Sequence, residues 1–318
     1  MSEKVQYFSG DIATPVMRFE KLLPSAQGMA IYGDILFQLF HTGKCALFDL
    51  QTKCEKPLAF FPLGSSNDGD PDNNYLNHSN QCMFGQKHIG SNPLPLLYVT
   101  SGYGIGADEN GFYYRCAVEN ITLSHDDKGN IIGGKSELLQ TVSYRNDGIE
   151  NTPYEDPCWG CPAWFADDEH GYMYIFSTRW RTKKEFLQYY DQNRFRITKL
   201  RLPDLTEGNF VVLTAADIVD QFLMPFDILF TQGGMICGDK LFYTFGCGDA
   251  LDNAYPNGLR VYDLTNKCLV ASADLSGTCF AAEEIESAYF YNGELLVNTN
   301  AKPTGGIYSL GRDFASLL

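Results

Sequence analysis

The feature that most constrains the fold is a stretch of sequence that occurs twice. The first copy, QGMAIYGDILFQLF, covers residues 27–40, and the second, QGGMICGDKLFYTF, covers residues 232–245. Downstream the register resumes after nine extra residues, so that DLQTKC, ending at Cys54, matches DLTNKC, ending at Cys268. Such internal similarity indicates a chain built from copies of one structural unit.

Each copy has the pattern of antiparallel strands. An apolar run is followed by a Gly-Asp pair and a second apolar run, which is typical of two strands joined by a tight turn. In the first copy CALFDL and PLAFFPL then predict a third and a fourth strand. One unit is therefore expected to be a four-stranded antiparallel sheet.

Segments with weaker similarity to the first strands of these copies occur elsewhere in the chain. Their starts, together with those of the two clear copies, lie near residues 27, 79, 161, 232 and 286. Repeated four-stranded sheets at this spacing predict an all-β fold, a five-bladed β-propeller that forms a single domain over residues 1–318. A pair of β-sandwiches is the alternative, but it would not explain five similar openings.

The two ends of the chain are expected to meet. The last unit ends with GGIYSLGRDFASLL, which leaves little chain for an outer strand, so the N-terminal EKVQYFSG or VMRFEKLL should supply it.

One segment departs from the β pattern. In TAADIVDQFLMP, Thr214 and Asp217 have the spacing of a helix cap, and Ile218 and Phe222 would share one helical face, which predicts a short helix.

Charge and composition exclude several classes of function. The net charge of −15 and the pI near 4.7 disfavour nucleic acid and anionic membrane surfaces as partners. No signal peptide and no transmembrane segment is recognised, so we expect a cytoplasmic protein whose ten cysteines are free thiols. The sequence contains no serine-nucleophile, phosphate-loop or HExxH motif, so it indicates no cofactor.

Polar residues recur where the innermost strands of the predicted blades begin, the positions that line one mouth of a propeller's central channel. A ring of amides and carboxyls there favours a polyhydroxylated ligand or a cation as occupant. Gln27 and Gln232 have a structural alternative, since buried amides also tie neighbouring blades together. The candidate residues are Gln27, His78, Asn80, Glu155, Asp156, Gln232, Glu283, Glu284 and Glu286.

An acidic loop precedes the second unit. Asp68, Asp70 and Asp72 alternate as at the start of a calcium loop, but Asn73 and Ser79 occupy the positions of the required glycine and glutamate. A solvated loop is the preferred interpretation, and no metal ligands are assigned. A calcium ion bound in the channel stays open as an alternative.

Two tryptophans lie near the carboxyls of the third unit. Trp159 beside Glu155 and Asp156 is the combination that holds a sugar ring, with the indole under the apolar ring face and the acids on the hydroxyls. Trp164 is expected to pack between blades instead. The single C-x-x-C of Cys158 and Cys161 lacks the helix of a redox motif and the second pair of a zinc site.

In outline the whole chain resembles the five-bladed propellers that include glycoside hydrolases and lectins. The resemblance implies carboxyl groups on successive inner strands, for which Asp156 or Glu155 and Glu286 are the candidates, while Asp11 lies before the first unit. We therefore expect a protein that binds or cleaves glycans, with Gln27, His78, Asn80, Trp159, Gln232 and Glu283 as ligand-binding residues. Whether it is an enzyme stays open, and a non-catalytic scaffold that recognises a protein partner is the alternative.

Overall fold

The structure is a computed structural model, and it describes residues 4–19, 25–66, 79–101, 115–158, 162–178, 194–225, 231–248, 256–301 and 305–318. Within these ranges the secondary structure consists of β-strands and short 3₁₀ turns. The strands form five sheets arranged in a ring, so the chain is a five-bladed β-propeller, as the sequence predicts. Across the same ranges no helix has the length and hydrophobicity needed to cross a membrane.

We number strands in chain order and blades from the first complete sheet. The two strands that precede blade 1 are β1 (Gln6–Phe8) and β2 (Thr14–Arg18). Blade 1 contains β3 (Ala26–Tyr32), β4 (Ile35–Phe40), β5 (Lys44–Asp49) and β6 (Ala59–Pro62). Blade 2 contains β7 (Gln81–His88), β8 (Pro95–Ser101), β9 (Arg115–His125), β10 (Ile131–Tyr144) and β14 (Phe210–Leu213).

The other three blades follow the same order from the inside of the ring outward. Blade 3 contains β11 (Ala163–Asp167), β12 (Tyr172–Thr178), β13 (Arg194–Arg201) and β15 (Ile218–Pro225). Blade 4 contains β16 (Thr231–Cys237), β17 (Lys240–Phe245), β18 (Gly258–Asp263), β19 (Cys268–Asp274) and β1. Blade 5 contains β20 (Glu284–Tyr291), β21 (Glu294–Asn300), β22 (Gly306–Ser309) and β2. The 3₁₀ turns are Ile149–Asn151, Leu205–Glu207, Ala215–Asp217 and Asp313–Leu317.

The N-terminal segment closes the ring in two places. Strand β2 pairs antiparallel with β22 and completes blade 5, which confirms the predicted union of the chain ends. Strand β1 pairs parallel with β19 on the outer edge of blade 4. Blade 2 is extended in the same way, because β14 pairs parallel with β10. The expectation of four strands in every blade is therefore corrected: blades 2 and 4 have five.

Each blade buries both of its faces. On β4, Leu36 and Phe40 pack in the cluster shared with blade 5, whereas Phe37 and Leu39 pack in the cluster shared with blade 2. One such apolar cluster fills each of the five junctions between neighbouring blades. Because side chains alternate across a strand, a strand buried on both faces reads as a nearly continuous apolar run, as the repeated segments do.

The Gly-Asp pairs make the tight turns that the sequence predicts. Gly33 and Gly238 occupy the turns between the first and second strands of blades 1 and 4, with φ of +58° and +57°. This left-handed conformation is one that glycine adopts without steric cost. The matching glycines of the two repeats therefore have the same conformational role.

The predicted short helix at TAADIVDQFLMP is wrong. Thr214 and Asp217 do form a capping box, but it starts only the 3₁₀ turn Ala215–Asp217. From Ile218 the chain is β15, which pairs antiparallel with β13 from Leu200 to Arg194. A helix of this length is marginal by itself, so the exposed edge of β13 determines the conformation.

Candidate functional site

Irregular strand pairing marks the mouth of the ring where the innermost strands begin. The register of the first two strands shifts between Ala26 and Met29 in blade 1, and between Thr231 and Gly234 in blade 4. In blade 5 it shifts after Ile285, next to Glu286. Such bulges redirect side chains out of the regular alternation.

Glycines at these bulges let the innermost strands touch. A Cβ on Gly233 would lie 2.9 Å from the carbonyl oxygen of Glu286 and 3.0 Å from that of Asn80. A Cβ on Gly28 would lie 2.9 Å from the backbone nitrogen of Cys82. Strands of blades 1, 2, 4 and 5 therefore meet backbone against backbone near the axis, which explains why a glycine follows the glutamine in both repeats.

The central axis is also filled by a side chain below this level. Tyr289 of β20 packs against four of the five inter-blade clusters. The polar residues therefore lie at the mouth of the ring, above a filled axis, and not along an open channel.

Two carboxyls of blade 5 face amides from three strands. Gln232 Nε2 donates to Glu284 Oε1 over 3.0 Å, and Gln27 Nε2 lies 3.4 Å from Glu286 Oε1. Asn300, on β21, lies opposite Glu284 in the sheet, and its side chain favours the charged forms of both carboxyls. We call these five residues, Gln27, Gln232, Glu284, Glu286 and Asn300, the axial cluster.

Burial of the two carboxyls disfavours their charged forms. Glu286 is only 1% exposed, and desolvation, followed by the repulsion of Glu284, raises its pKa well above the ordinary range. Desolvation also raises the pKa of Glu284, against the opposing effect of the hydrogen bonds from Gln232 and Asn300. Glu286 is thus the group of the axial cluster that most strongly favours the neutral acid.

The described residues provide no cation for the acid pair. Within the described part of the chain, no lysine, arginine or histidine forms an ion pair with Glu284 or Glu286, and no cation contributes to either pKa shift. Buried carboxylates are normally paired or neutralised by a proton. The axial cluster therefore has the electrostatics of a site that holds a proton or accepts a positive group.

Asn80 and Gln81, next to the axial cluster, each have one buried polar atom without a hydrogen-bond partner in the described part of the chain. These atoms are Gln81 Nε2, on a fully buried residue, and Asn80 Oδ1, on a residue that is 9% exposed. Gln81 Oε1 accepts from the backbone N–H of Gly234 over 3.2 Å, which places this amide against the bulge of blade 4. Buried polar groups without partners are uncommon, so these two offer a donor and an acceptor to a bound molecule or water.

Glu283 is engaged on the outer part of blade 5. Arg18 Nη1 donates to it over 2.5 Å, Thr299 Oγ1 over 2.5 Å and the Tyr308 hydroxyl over 3.1 Å. Arg18 belongs to β2, so this carboxylate connects the N-terminal strand to the sheet that the strand completes. Glu283 therefore helps to hold the closing N-terminal strand to blade 5, and it is not part of the axial cluster.

Glu155 and Asp156 lie in a separate network before blade 3. The side chain of Arg196 is 2% exposed and donates to Glu155 Oε2 over 2.5 Å and to the backbone carbonyl of Asp156. The Gln221 side chain also bonds to the backbone of Glu155 in both directions. The structure thus joins Glu155 to a buried cation and not to Glu286, although the sequence nominates the two as one catalytic pair.

Other sequence-based candidates fall in different places. His78, Trp159 and the aspartates of the acidic loop lie outside the described residues. Trp164 is fully buried in the cluster between blades 2 and 3, which confirms its predicted packing role. Among the described residues, no group of three or more histidine, cysteine, aspartate or glutamate side chains is arranged to hold a metal ion.

Two residues at the mouth were not among the candidates from the sequence: Gln81 and Asn300. Aligning Met83 with Met29 would have placed Gln81 opposite Gln27, which was the available signal for it. Asn300 gave no signal of its own. Its place beside the acids follows from the pairing of Glu284 with Asn300 across β20 and β21.

A separate groove lies at the opposite end of the ring. It has a volume of about 590 Å³ between blades 1 and 2. Its walls include Tyr32 and Ile35 at the β3–β4 turn, and Leu123 and Ile131 on the long β9–β10 hairpin. No buried acidic or basic side chain is found among the described residues of these walls, whereas the axial cluster contains the buried carboxyl of Glu286.

Known proteins similar to this chain were found among solved structures only. No family model and no curated protein matches the sequence. Among solved structures, the glutaminyl cyclase of Myxococcus xanthus is 9% identical with a TM-score of 0.48, covering 96% of this chain and 97% of that one. The WD40 domain of Neurospora crassa Pan2 is 8% identical with a TM-score of 0.41, covering 96% and 97%. The β-propeller domain of Myceliophteria thermophila Cps50 (Swd1) is 9% identical with a TM-score of 0.36, covering 89% and 83%.

At 8–9% identity and TM-scores below 0.5, these likenesses carry no argument about the chemistry of the mouth. The sheet order of the chain itself assigns the architecture: this protein is a five-bladed β-propeller.

Proposed function

We propose that the protein binds a small, hydroxyl-bearing ligand, a carbohydrate, at the mouth formed by the axial cluster. The observation that carries this proposal is the convergence of two carboxyls and three amides from three blades, with Glu286 almost completely buried. Amides both donate and accept, and carboxylates accept from hydroxyls, so the set matches the mixed polarity of a sugar.

The same acid pair supports a catalytic version of the proposal. Glycoside hydrolysis uses one carboxyl kept protonated as the acid and a second that is ionised. Glu286 has the raised pKa of the first role, and Glu284 is its nearest carboxyl partner. Glu155 and Asp156, the partners nominated from the sequence, are less suited because Arg196 already binds Glu155 and the backbone of Asp156.

Binding is tested by isothermal titration of the purified protein with a panel of monosaccharides and oligosaccharides, repeated with Glu286→Gln. The exchange keeps the shape of the side chain but removes the acid. Binding by the wild type that weakens at least tenfold in Glu286→Gln supports the proposal. Glu55→Gln, at an exposed position, is the matched control for the loss of one carboxyl.

The alternatives give different results in the same experiments. A scaffold propeller that recognises a protein partner predicts no sugar binding and no effect of Glu286→Gln. A calcium ion at the mouth predicts a melting temperature that falls when a chelator is added. Turnover of an oligosaccharide that is lost in Glu286→Gln, with the fold retained, would establish the catalytic version.

A further inference from the structure

We propose that the ligand of the axial cluster carries a protonated primary amine beside its hydroxyl groups, as an amino sugar does. This inference rests on the proposed function and narrows its ligand class. It starts from the two carboxyls of β20, Glu284 and Glu286, which share the Asn300 side chain and have no cation partner in the described chain.

The groups facing the acid pair are uncharged. Gln27 on β3, Gln232 on β16 and Asn300 on β21 are all amides. Glu283, the neighbouring carboxylate, is bound by Arg18 of β2. Among the described residues no group therefore compensates a negative charge on Glu286, and a cationic ligand would supply the missing charge in a site of low dielectric.

Hydrogen-bonding capacity favours an ammonium over a neutral hydroxyl. An ammonium has three N–H donors and no acceptor, and the mouth offers acceptors in both carboxyls. Asn80, whose Oδ1 has no partner among the described residues, adjoins the mouth through its backbone oxygen beside Gly233. Gln27 Nε2 is a weak partner for Glu286 at 3.4 Å, which leaves capacity on that carboxyl. The unpartnered Gln81 Nε2 is a donor suited to a ligand hydroxyl.

Binding of such a ligand exchanges a proton for a cation. With Glu286 neutral, the protonated amine enters as R–NH₃⁺, the carboxyl releases its proton to the solvent, and the site then holds a carboxylate–ammonium pair. The site and ligand together change from a charge of +1 to 0, and the released proton carries the positive charge to the buffer. A neutral sugar in the same position would release no proton.

The test compares three sugars that differ only at carbon 2: glucosamine, N-acetylglucosamine and glucose, titrated below pH 7 so that the amine is charged. We expect glucosamine to bind at least tenfold more tightly than the other two. Titration in two buffers of different ionisation heat should detect release of protons when glucosamine binds and none when the neutral sugars bind. This readout uses the wild-type protein and does not depend on the folding of a variant.

Two variants and one further ligand complete the design. In Glu286→Gln and Glu284→Gln the preference for glucosamine should fall at least fivefold, whereas Glu55→Gln should keep it. Equal affinities for the three sugars would overturn this inference and leave the proposed carbohydrate site intact. Binding of ethylammonium as tight as that of glucosamine would also overturn it, because hydroxyl recognition would then be absent. Failure of all three sugars to bind would reject the proposed function itself.

Discussion

Replacing Glu286 by glutamine should change how the stability of the protein depends on pH. The buried carboxyl keeps its proton to a higher pH in the folded state than in the unfolded chain, where its pKa is near 4.5. Its stabilising contribution is therefore fully present below about pH 4.5 and is lost as the pH rises through the raised folded pKa. Glutamine does not titrate, so the variant does not lose this stability as the pH rises.

The magnitude follows from a single proton. Between the unfolded and the folded pKa, the folded state binds up to one proton more, so wild-type stability falls by about 1.4 kcal/mol per pH unit relative to Glu286→Gln. The amide preserves the volume of the carboxyl, so the packing around the 1%-exposed side chain stays filled.

Urea unfolding measured from pH 5 to pH 8 gives this difference directly. The free energies of unfolding of wild type and variant should diverge with increasing pH, with the variant becoming relatively more stable. Glu55→Gln gives the change expected from losing one exposed carboxyl. Parallel curves for wild type and Glu286→Gln would refute the reasoning that Glu286 is a buried neutral acid.

Three other predictions concern the scaffold. Gly233→Ala should cost about 1–3 kcal/mol because its Cβ would meet two carbonyl oxygens within 3.0 Å, whereas Gly133→Ala, whose nearest neighbour lies 3.7 Å away, should cost less than about 0.5 kcal/mol in urea unfolding. Deletion of residues 1–18 removes β1 and β2 and should abolish cooperative thermal unfolding, whereas deletion of residues 1–9 removes only the outer strand of blade 4 and should lower the melting temperature without that loss. Asp168→Ala should cost about 1–3 kcal/mol by chemical denaturation, since its carboxylate accepts from the backbone N–H groups of Gln86 and Lys87 over 2.7 and 3.0 Å, and Asp168→Asn, which keeps one acceptor, should cost less. Gly233→Ala and Gly133→Ala with equal costs in stability, or Asp168→Ala and Asp168→Asn with equal costs, would contradict the structural roles given to Gly233 and Asp168. Equal effects of the two deletions would contradict the role of β2 in ring closure.

The architecture was predictable because the repeated segments contain the turn residues and apolar strands of one blade. Five sheets followed from the Gly-Asp turns and from the apolar runs of strands that are buried on both faces. The short C-terminal unit predicted a closing strand from the N-terminus. The parallel strands β1 and β14 were not predictable. A three- or four-residue outer strand has no periodicity of its own, and its place depends on an edge formed by a distant segment.

The candidate site was only partly predictable, since the sequence places residues at the mouth but does not say which of them touch. Gln27, Gln232 and Glu286 were identified from equivalent repeat positions, and the structure brings them into one cluster. Glu155 was nominated by the same logic, yet Arg196, 41 residues further along the chain, binds it. Only the fold shows that a buried cation binds Glu155 and that no described cation pairs with Glu284 or Glu286.

The most direct test of the account is a crystal structure of the protein soaked with glucosamine. The account predicts a sugar at the mouth of the ring, with its amine within hydrogen-bond distance of Glu284 or Glu286 and with Gln27, Gln232 and Asn300 around the same pair. A sugar bound instead in the groove between blades 1 and 2, or an axial mouth whose acids and amides point apart, would contradict it.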